Sequence, residues 1–211
     1  MTLLCLVRHG QTDWNAENRW LGHRDIPLNA VGLTQAEAVA RAFRGVPVDR
    51  VFTSDLARAD RTARVIAEAV GAPLEAVPEL RERCFGQWEG RTTAELTAEV
   101  PGQMEAWGKD RLGFAPPGGE SWNEFALRAV AGIEDLAERH AWQRLVIVSH
   151  YGPVKEYLDH ILGLPRGVFG RYQLDNASIS VVRTRADATG TASRQVAALN
   201  ITGHLDGALP S

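Results

Sequence analysis

Residues 3–15 read LLCLVRHGQTDWN, an apolar run that ends abruptly in Arg8, His9 and Gly10. The apolar run predicts a buried β-strand, and Gly10 permits a turn with close backbone approach directly after it. Ligands bind at the carboxyl ends of strands in open α/β sheets. Arginine offers a rigid fork of donors to phosphate, and histidine can attack as a nucleophile or carry a proton. This stretch therefore indicates phosphoryl chemistry at the end of the first strand.

The composition is that of an ordinary globular protein. The 211 residues are 45% hydrophobic and 23% charged, with a formal net charge of −3, which is unlike the basic footprint of a nucleic-acid binder. Cys5 and Cys84 fit no metal-ligand spacing and no disulfide framework. We find no signal peptide and no apolar run long enough to cross a bilayer, and we expect a cytoplasmic protein without a membrane partner.

Strand-like and helix-like segments alternate along the chain. This alternation predicts an α/β fold, a three-layer α/β/α sandwich around a mainly parallel mixed sheet, in one domain spanning 1–211. Helical spacing appears at 33–43 and 58–70, Ser121 to Glu124 reads as a capping box, and another helix is expected to begin at Gly152-Pro153. The strand-like segments are 3–8, 48–53, 144–149, 178–183 and 195–200.

A segment at about 84–122 differs in character and predicts an insertion over one end of the sheet. It is rich in glycine, proline and tryptophan, with a short helix expected near 93–99 that Pro101 would stop. A lid over the active site and a packed excursion with no moving part are both compatible with this composition.

Two further strand ends carry residues suited to phosphate. Arg58 falls in the first turn of the helix that follows the second strand, whereas Arg61 lies on a less apolar face and is expected to be solvated. His150 ends the strand at 144–149, just before a helix N-terminus, which favours anions. Two histidines at two such strand ends are a stronger signal than either alone. Arg8 and His9 can serve one pocket only if the first strand already ends there.

Transfer of a phosphoryl group also requires an acid for the leaving oxygen. Glu82 and Glu89 lie in the same short segment, and the residues alone do not decide between them.

Taken together, these motifs resemble the signature of the histidine phosphatase superfamily, in the branch that contains cofactor-dependent phosphoglycerate mutases and related bacterial phosphatases. The resemblance follows the order of the chain and covers nearly all of it. The matching segments are 7–15, Gly22, Asp25, Leu28, Gly32, 35–36, 54–63, Glu82, 85–86, 88–90, 118–121, 149–150, 174–178, Asn200 and 204–205.

The resemblance implies a role for each matched position. His9 would be the phosphorylated nucleophile, and Arg8, Arg58 and His150 would complete the phosphate pocket. Glu82 matches the proton donor of the family, which would protonate the leaving oxygen and then activate water. It implies no metal and no cofactor. The positions expected to contact substrate are Asn15, Thr12, Gly22, Tyr151 and Gly152.

One position departs from the family pattern. Many relatives have glycine directly after the second histidine, where this chain has Tyr151. The amide of Tyr151 remains available to a phosphate, but its phenol changes the shape of the pocket. The departure bears on the substrate more than on the reaction.

Phosphatase and mutase are the two enzymatic alternatives. The insertion between Gly90 and Gly118 is shorter than in the classical mutases, and the lysine that these carry after the acid motif is absent here, with Lys109 and Arg111 as partial substitutes. An aromatic-lined insertion fits a hydrolase of small phosphomonoesters better. The aromatic residues in question are Trp88, Trp107, Phe114 and Trp122.

A third alternative is a protein that binds phosphorylated ligands without turnover. A protein of this kind is expected to have lost the nucleophile, one of the arginines or the acid, and this sequence has all of them. The expected partner is a small phosphorylated metabolite, such as a phosphoglycerate, a sugar phosphate, a nucleotide or α-ribazole phosphate. A homodimer through an exposed edge or helix is compatible with the sequence.

Overall fold

A six-stranded mixed sheet forms the centre of the molecule in the computed structural model, which describes residues 1–167, 171–186 and 192–205. The strand order is β3-β2-β4-β1-β5-β6. The pairs β3-β2, β2-β4 and β4-β1 are parallel, and β5 pairs antiparallel with both β1 and β6. This confirms the predicted mainly parallel mixed sheet. The strands are β1 (Leu3–Arg8), β2 (Arg50–Thr53), β3 (Leu74–Ala76), β4 (Arg144–Ser149), β5 (Ile179–Ala186) and β6 (Ala192–Ile201).

Seven α-helices and three short 3₁₀ segments occupy the described residues. The 3₁₀ segments are Pro78–Leu80, Gly86–Trp88 and Gly203–Leu205. The helices are α1 (Asp13–Ala16), α2 (Ala30–Ala42), α3 (Ala57–Val70), α4 (Thr93–Glu99), α5 (Pro101–Lys109), α6 (Trp122–Arg139) and α7 (Tyr151–Ile161).

Two layers of helices cover the sheet, one on each face. Helices α2 and α3 pack with Val7 and Val51 on one face, and α6 and α7 pack with Leu4 and Leu6 on the other. Side chains alternate along β1 because successive residues of a strand point to opposite faces. Each fully buried side chain of this kind contributes about 1.5–3 kcal/mol. The predicted three-layer α/β/α sandwich is therefore confirmed.

The predicted helix ends agree with the structure in two places. Ser121 caps α6, with the side chain of Glu124 returning to the Ser121 amide as in a capping box. Gly71 ends α3 in the left-handed conformation at φ 68°, where glycine has no Cβ to clash.

Strand β3 and helices α1 and α5 were not predicted. Strand β3 is only three residues long and its burial is partial, so it has no apolar periodicity to read. Helix α4 spans Thr93–Glu99 and ends before Pro101 as predicted, and Pro101 then begins the unpredicted helix α5. Proline is well suited to the first position of a helix because the amide it lacks has no partner there.

The aromatic side chains of the 84–122 segment pack into small hydrophobic cores. Trp88 is buried and its ring lies 5.9 Å from that of Trp107 and 5.5 Å from that of Phe114. Trp122 is buried against Phe125 instead. These four residues fill small cores within the segment and against Phe125. Such packing favours a segment that is fixed against the rest of the protein over a lid that moves.

Three further observations concern the described part of the chain. None of its helices is long and apolar enough to span a membrane, and it contains no cluster of three metal-ligating side chains. Both cysteines are free thiols, and burial raises the pKa of Cys5 to about 11.

Candidate active site

The site lies where three parallel strands end at one edge of the sheet. Arg8 is the last residue of β1 and pairs with Ser149, the last residue of β4, while β2 ends beside them at Thr53. His9 and His150 each follow one of these strands, and their ring centroids are 5.0 Å apart. Because β1 ends at Arg8, Arg8 and His9 are free of strict strand alternation, as a shared pocket requires.

His9 is held in a single tautomer. Its Nδ1 lies 2.6 Å from the carbonyl oxygen of Gly10, and a carbonyl can only accept, so the Nδ1 atom carries the proton. The lone pair of Nε2 is therefore available to a ligand. Burial, followed by the charges of Arg58 and Arg8, lowers the pKa of His9 well below 6.5. The imidazole is neutral at neutral pH, as a nucleophile must be.

Arg58 connects the second strand to His150. It is fully buried, and its Nε donates to His150 Nδ1 at 3.2 Å. Its two other nitrogens donate to the carbonyl oxygens of Arg24 and Gly22, both at 2.8 Å. Burial lowers the pKa of Arg58 to about 10, so it is still a cation at neutral pH.

Two buried donors at this edge have no partner among the described residues. Because Nδ1 of His150 accepts from Arg58, its proton is on Nε2, and that atom makes no hydrogen bond. Arg8 donates through Nη1 to the carbonyl of Leu174 at 2.7 Å, but its Nε is unpartnered. An unpaired buried donor costs about 1–3 kcal/mol, which a bound oxyanion would recover.

Glu82 reaches the same edge from the loop after the 78–80 segment. Its Oε2 accepts from the amide of Gly152 at 3.1 Å and its Oε1 from the amide of Arg83 at 2.9 Å. Its carboxylate raises the pKa of both Arg8 and Arg58, against the larger effect of burial. Glu82 is thus close enough to the guanidinium groups to act on a ligand that they hold.

Glu89 has a different environment. Its carboxylate accepts from the amides of His23, Arg24 and Phe85 at 2.8–3.0 Å. These bonds bind the loop around Gly22 to the start of the insertion. Both carboxylates accept from backbone amides, but of the two only Glu82 acts on the pKa of both Arg8 and Arg58, so Glu82 stays the candidate acid that the resemblance implies.

Asn15 and Thr12 form the first turn after the nucleophile. They make a capping box on α1, in which Asn15 Oδ1 accepts from the Thr12 amide at 3.0 Å. The Asn15 oxygen also accepts from Asn176 at 3.3 Å, which leaves the Asn15 amide nitrogen as its donor to a ligand. Thr12 is completely buried, so the structure places it behind Asn15 and not at the surface of the pocket.

The three remaining predicted residues are distributed differently. Gly22 has φ 57°, and a Cβ there would lie 2.0 Å from Glu89 Oε1, so this glycine supports the loop that binds Arg58. Gly152 gives its amide to Glu82. Tyr151 lines the open cleft beside Asn15, and the Arg8 guanidinium lies 5.5 Å from the centre of its ring.

Sequence reasoning assigned no role to three residues that shape the site. Asn176 donates to the carbonyl of His9 at 3.1 Å, and it was noted only within a matching segment. Trp14 and Trp20 line the cleft with Tyr151, although nothing in their spacing distinguishes them from core aromatics.

The arrangement combines a neutral nucleophilic imidazole, buried cationic and neutral donors, and a carboxyl group. It can accept a phosphoryl group on His9 Nε2, neutralise the charge on its oxygens and supply a proton to the departing oxygen.

The chain is similar to phosphatases and to a probable phosphoglycerate mutase. The chain is 32% identical over 179 residues to adenosylcobalamin/alpha-ribazole phosphatase of Escherichia coli K12, covering 85% of this chain and 88% of that protein. It is 34% identical over 210 residues to a probable phosphoglycerate mutase GpmB of Yersinia pestis, covering 98% and 96%. The solved structure of phosphoserine phosphatase from Entamoeba histolytica with 3-phosphoglyceric acid matches at a TM-score of 0.80 and 29% identity, covering 97% of this chain and 100% of that one.

The family match covers most of the chain and includes the strand ends that carry Arg8, His9, Arg58 and His150. It runs from residue 4 to residue 196. The chain therefore belongs to the histidine phosphatase superfamily, branch 1, as a phosphatase-like or mutase-like enzyme.

Proposed function

We propose that the protein is a metal-independent phosphatase that hydrolyses small phosphomonoesters through a phosphohistidine on His9. The observation that carries this proposal is the 2.6 Å hydrogen bond from His9 Nδ1 to Gly10. It leaves Nε2 unprotonated in a site where two buried donors, Arg8 Nε and His150 Nε2, have no partner.

In the first step, Nε2 of His9 attacks phosphorus as the bond from phosphorus to the leaving oxygen breaks. Arg8, Arg58 and His150 surround the site with donors suited to the three equatorial oxygens, and Asn15 adds another. The carboxyl group of Glu82 gives its proton to the leaving oxygen, which departs as the alcohol. A positioned acid of this kind contributes about 10²–10⁴-fold in rate.

In the second step, water attacks the phosphohistidine. The Glu82 carboxylate takes a proton from this water, the bond between phosphorus and Nε2 breaks, and inorganic phosphate leaves. The proton on Glu82 and the free lone pair on His9 are both restored, so the cycle closes without a co-reactant.

The positions of the positively charged side chains support hydrolysis of a phosphomonoester over the phosphoglycerate mutase reaction. A mutase must also hold the carboxylate of a phosphoglycerate. Lys109 and Arg111, the substitutes considered for this role, are exposed, and neither lines the cleft. Lys109 pairs with Glu105 at 2.6 Å, and the guanidinium of Arg111 lies 5.0 Å from the centre of the Trp107 ring.

The products made from one substrate distinguish the alternatives. The protein is incubated with 3-phosphoglycerate, with and without 2,3-bisphosphoglycerate, and in parallel with p-nitrophenyl phosphate. We expect release of inorganic phosphate that is independent of bisphosphoglycerate and exceeds formation of 2-phosphoglycerate. Interconversion that exceeds phosphate release would identify a mutase, and tight binding without any turnover would identify a binding protein.

A further inference from the structure

Four aromatic rings, together with polar side chains, line the cleft beside Arg8. It has a volume of about 330 Å³, and we call it the aromatic cleft after the four rings that line it. These are Trp14, Trp20, Phe85 and Tyr151.

The rings come from three separate parts of the chain and support one another. Trp14 and Trp20 follow β1, Phe85 begins the insertion, and Tyr151 is the first residue of α7. The Trp20 and Phe85 rings are 4.6 Å apart at their centroids, in an edge contact. Phe85 is buried, whereas Trp14, Trp20 and Tyr151 each keep part of their surface exposed, so three ring surfaces remain accessible to a ligand.

Tyr151 is the ring nearest to the reacting phosphate. It directly follows His150, and its ring lies 5.5 Å from the guanidinium carbon of Arg8. A substrate whose phosphate is held by Arg8 and His150 would bring its leaving group close to this ring.

The same cleft offers little to a second anionic group. Among the described residues that line it, Arg19 is the one cation besides Arg8. Arg19 donates through Nε to Glu17 at 2.6 Å and through Nη1 to Glu95 at 2.9 Å and the Gly90 carbonyl at 2.8 Å. A carboxylate on the leaving group would meet a guanidinium already bound to two carboxylates.

We propose that the site selects phosphomonoesters whose leaving alcohol carries an aromatic ring close to the ester oxygen, and that Tyr151 determines this selectivity. The proposal rests on the proposed function and adds the class of substrate. One favourable ring pair corresponds to roughly 2–10-fold in binding. Contacts with Tyr151 and a second ring of the cleft would thus give a preference of about 10-fold over a leaving group without a ring.

Three esters with alkyl leaving oxygens test the proposal, because all of them need similar help from the acid. They are benzyl phosphate, cyclohexylmethyl phosphate of nearly the same size, and 3-phosphoglycerate, which carries a carboxylate. We expect kcat/KM for benzyl phosphate to exceed that for cyclohexylmethyl phosphate by about 3-fold and that for 3-phosphoglycerate by at least about 10-fold.

The variant Tyr151→Leu retains apolar bulk but removes the ring. We expect it to abolish the benzyl preference over cyclohexylmethyl phosphate and to reduce that over 3-phosphoglycerate by about 3–10-fold, and we expect Tyr151→Phe to restore both. Trp142→Leu is the matched control, since Trp142 is 75% exposed and does not line the cleft. A wild-type preference for 3-phosphoglycerate, or an unchanged ratio in Tyr151→Leu, would overturn the proposal.

Binding of stable analogues separates this inference from the proposed function. Calorimetry compares benzylphosphonate with 2-carboxyethylphosphonate on wild-type protein and on Tyr151→Leu. A Tyr151-dependent preference for benzylphosphonate without turnover of any ester would refute the phosphatase but retain the selectivity. Turnover without that preference would retain the phosphatase and refute the selectivity.

Discussion

The Oε2 atom of Glu82 accepts a hydrogen bond from the backbone amide of Gly152 at 3.1 Å. This contact joins the loop that carries the acid to the first turn of α7, directly after His150. It depends on the absence of a side chain at position 152, where a Cβ would lie 2.1 Å from Glu82 Oε1 and 2.7 Å from Phe125 Cζ. Gly152 is therefore a positioning residue for the acid.

The substitution Gly152→Ala is expected to displace the Glu82 carboxyl group. Esters with poor leaving groups need the acid most, so kcat/KM for benzyl phosphate should fall by about 10–100-fold and that for p-nitrophenyl phosphate by less than about 5-fold. Gly102→Ala in α5 is the control, because a Cβ there meets no atom within 4 Å. An equal loss on both esters would show a general disturbance of the fold instead.

Glu82 and Glu89 are expected to respond differently to the same substitution. Glu82→Gln should lower kcat/KM for benzyl phosphate by about 10²–10⁴-fold, and because Glu82 has two amide donors where Glu89 has three, it should lower stability less than Glu89→Gln. Glu89→Gln weakens bonds to three backbone amides and should lower the free energy of unfolding by about 1–3 kcal/mol. It should leave the ratio of rates on the two esters unchanged. Kinetics and urea unfolding of both variants test this, and the reverse pattern would refute the assignment of the acid.

Stability is expected to fall on the acid side of neutrality because of the two buried histidines. Burial and neighbouring guanidinium groups lower the pKa of His9 and His150 well below 6.5. The unfolded chain therefore binds more protons than the folded one as pH falls below 6.5, and their contribution to stability is fully present only above that value. Each histidine adds a slope approaching about 1.4 kcal/mol per pH unit.

The variant His150→Gln tests this dependence. Its loss of unfolding free energy between about pH 7.5 and about pH 5.5 should be about 1 kcal/mol smaller than in wild type. His160→Gln is the control, since that side chain is exposed and should show the wild-type loss. Identical losses in His150→Gln and wild type would contradict the neutral, buried state of His150.

The strand ends could be predicted from the sequence because an apolar run and the polar residue after it are adjacent in the chain. Arg8, His9 and His150 were found in this way, and Arg58 followed from the helical register after β2. Parallel pairing then brings all four to one edge, as the register of β1, β2 and β4 shows.

Other features required the folded chain. Glu82 and Glu89 are seven residues apart in one polar segment, and only their amide partners, which come from distant loops, distinguish them. The aromatic cleft depends on rings from three separate segments. The tryptophans Trp88 and Trp122 of the 84–122 segment are instead buried in local cores. Spacing along a chain does not report which of two aromatic rings will face solvent.

A phosphoryl group on His9 is the intermediate of the proposed reaction, and rapid quenching detects it. Wild-type protein and Glu82→Gln are mixed with p-nitrophenyl phosphate, quenched under alkaline conditions that preserve the bond from phosphorus to nitrogen, and mapped by mass spectrometry. We expect one phosphoryl group on His9, more of it in Glu82→Gln because water is no longer activated, and none in His9→Ala, which should also have lost turnover. Turnover by His9→Ala, or a phosphoryl group on another residue, would contradict the mechanism.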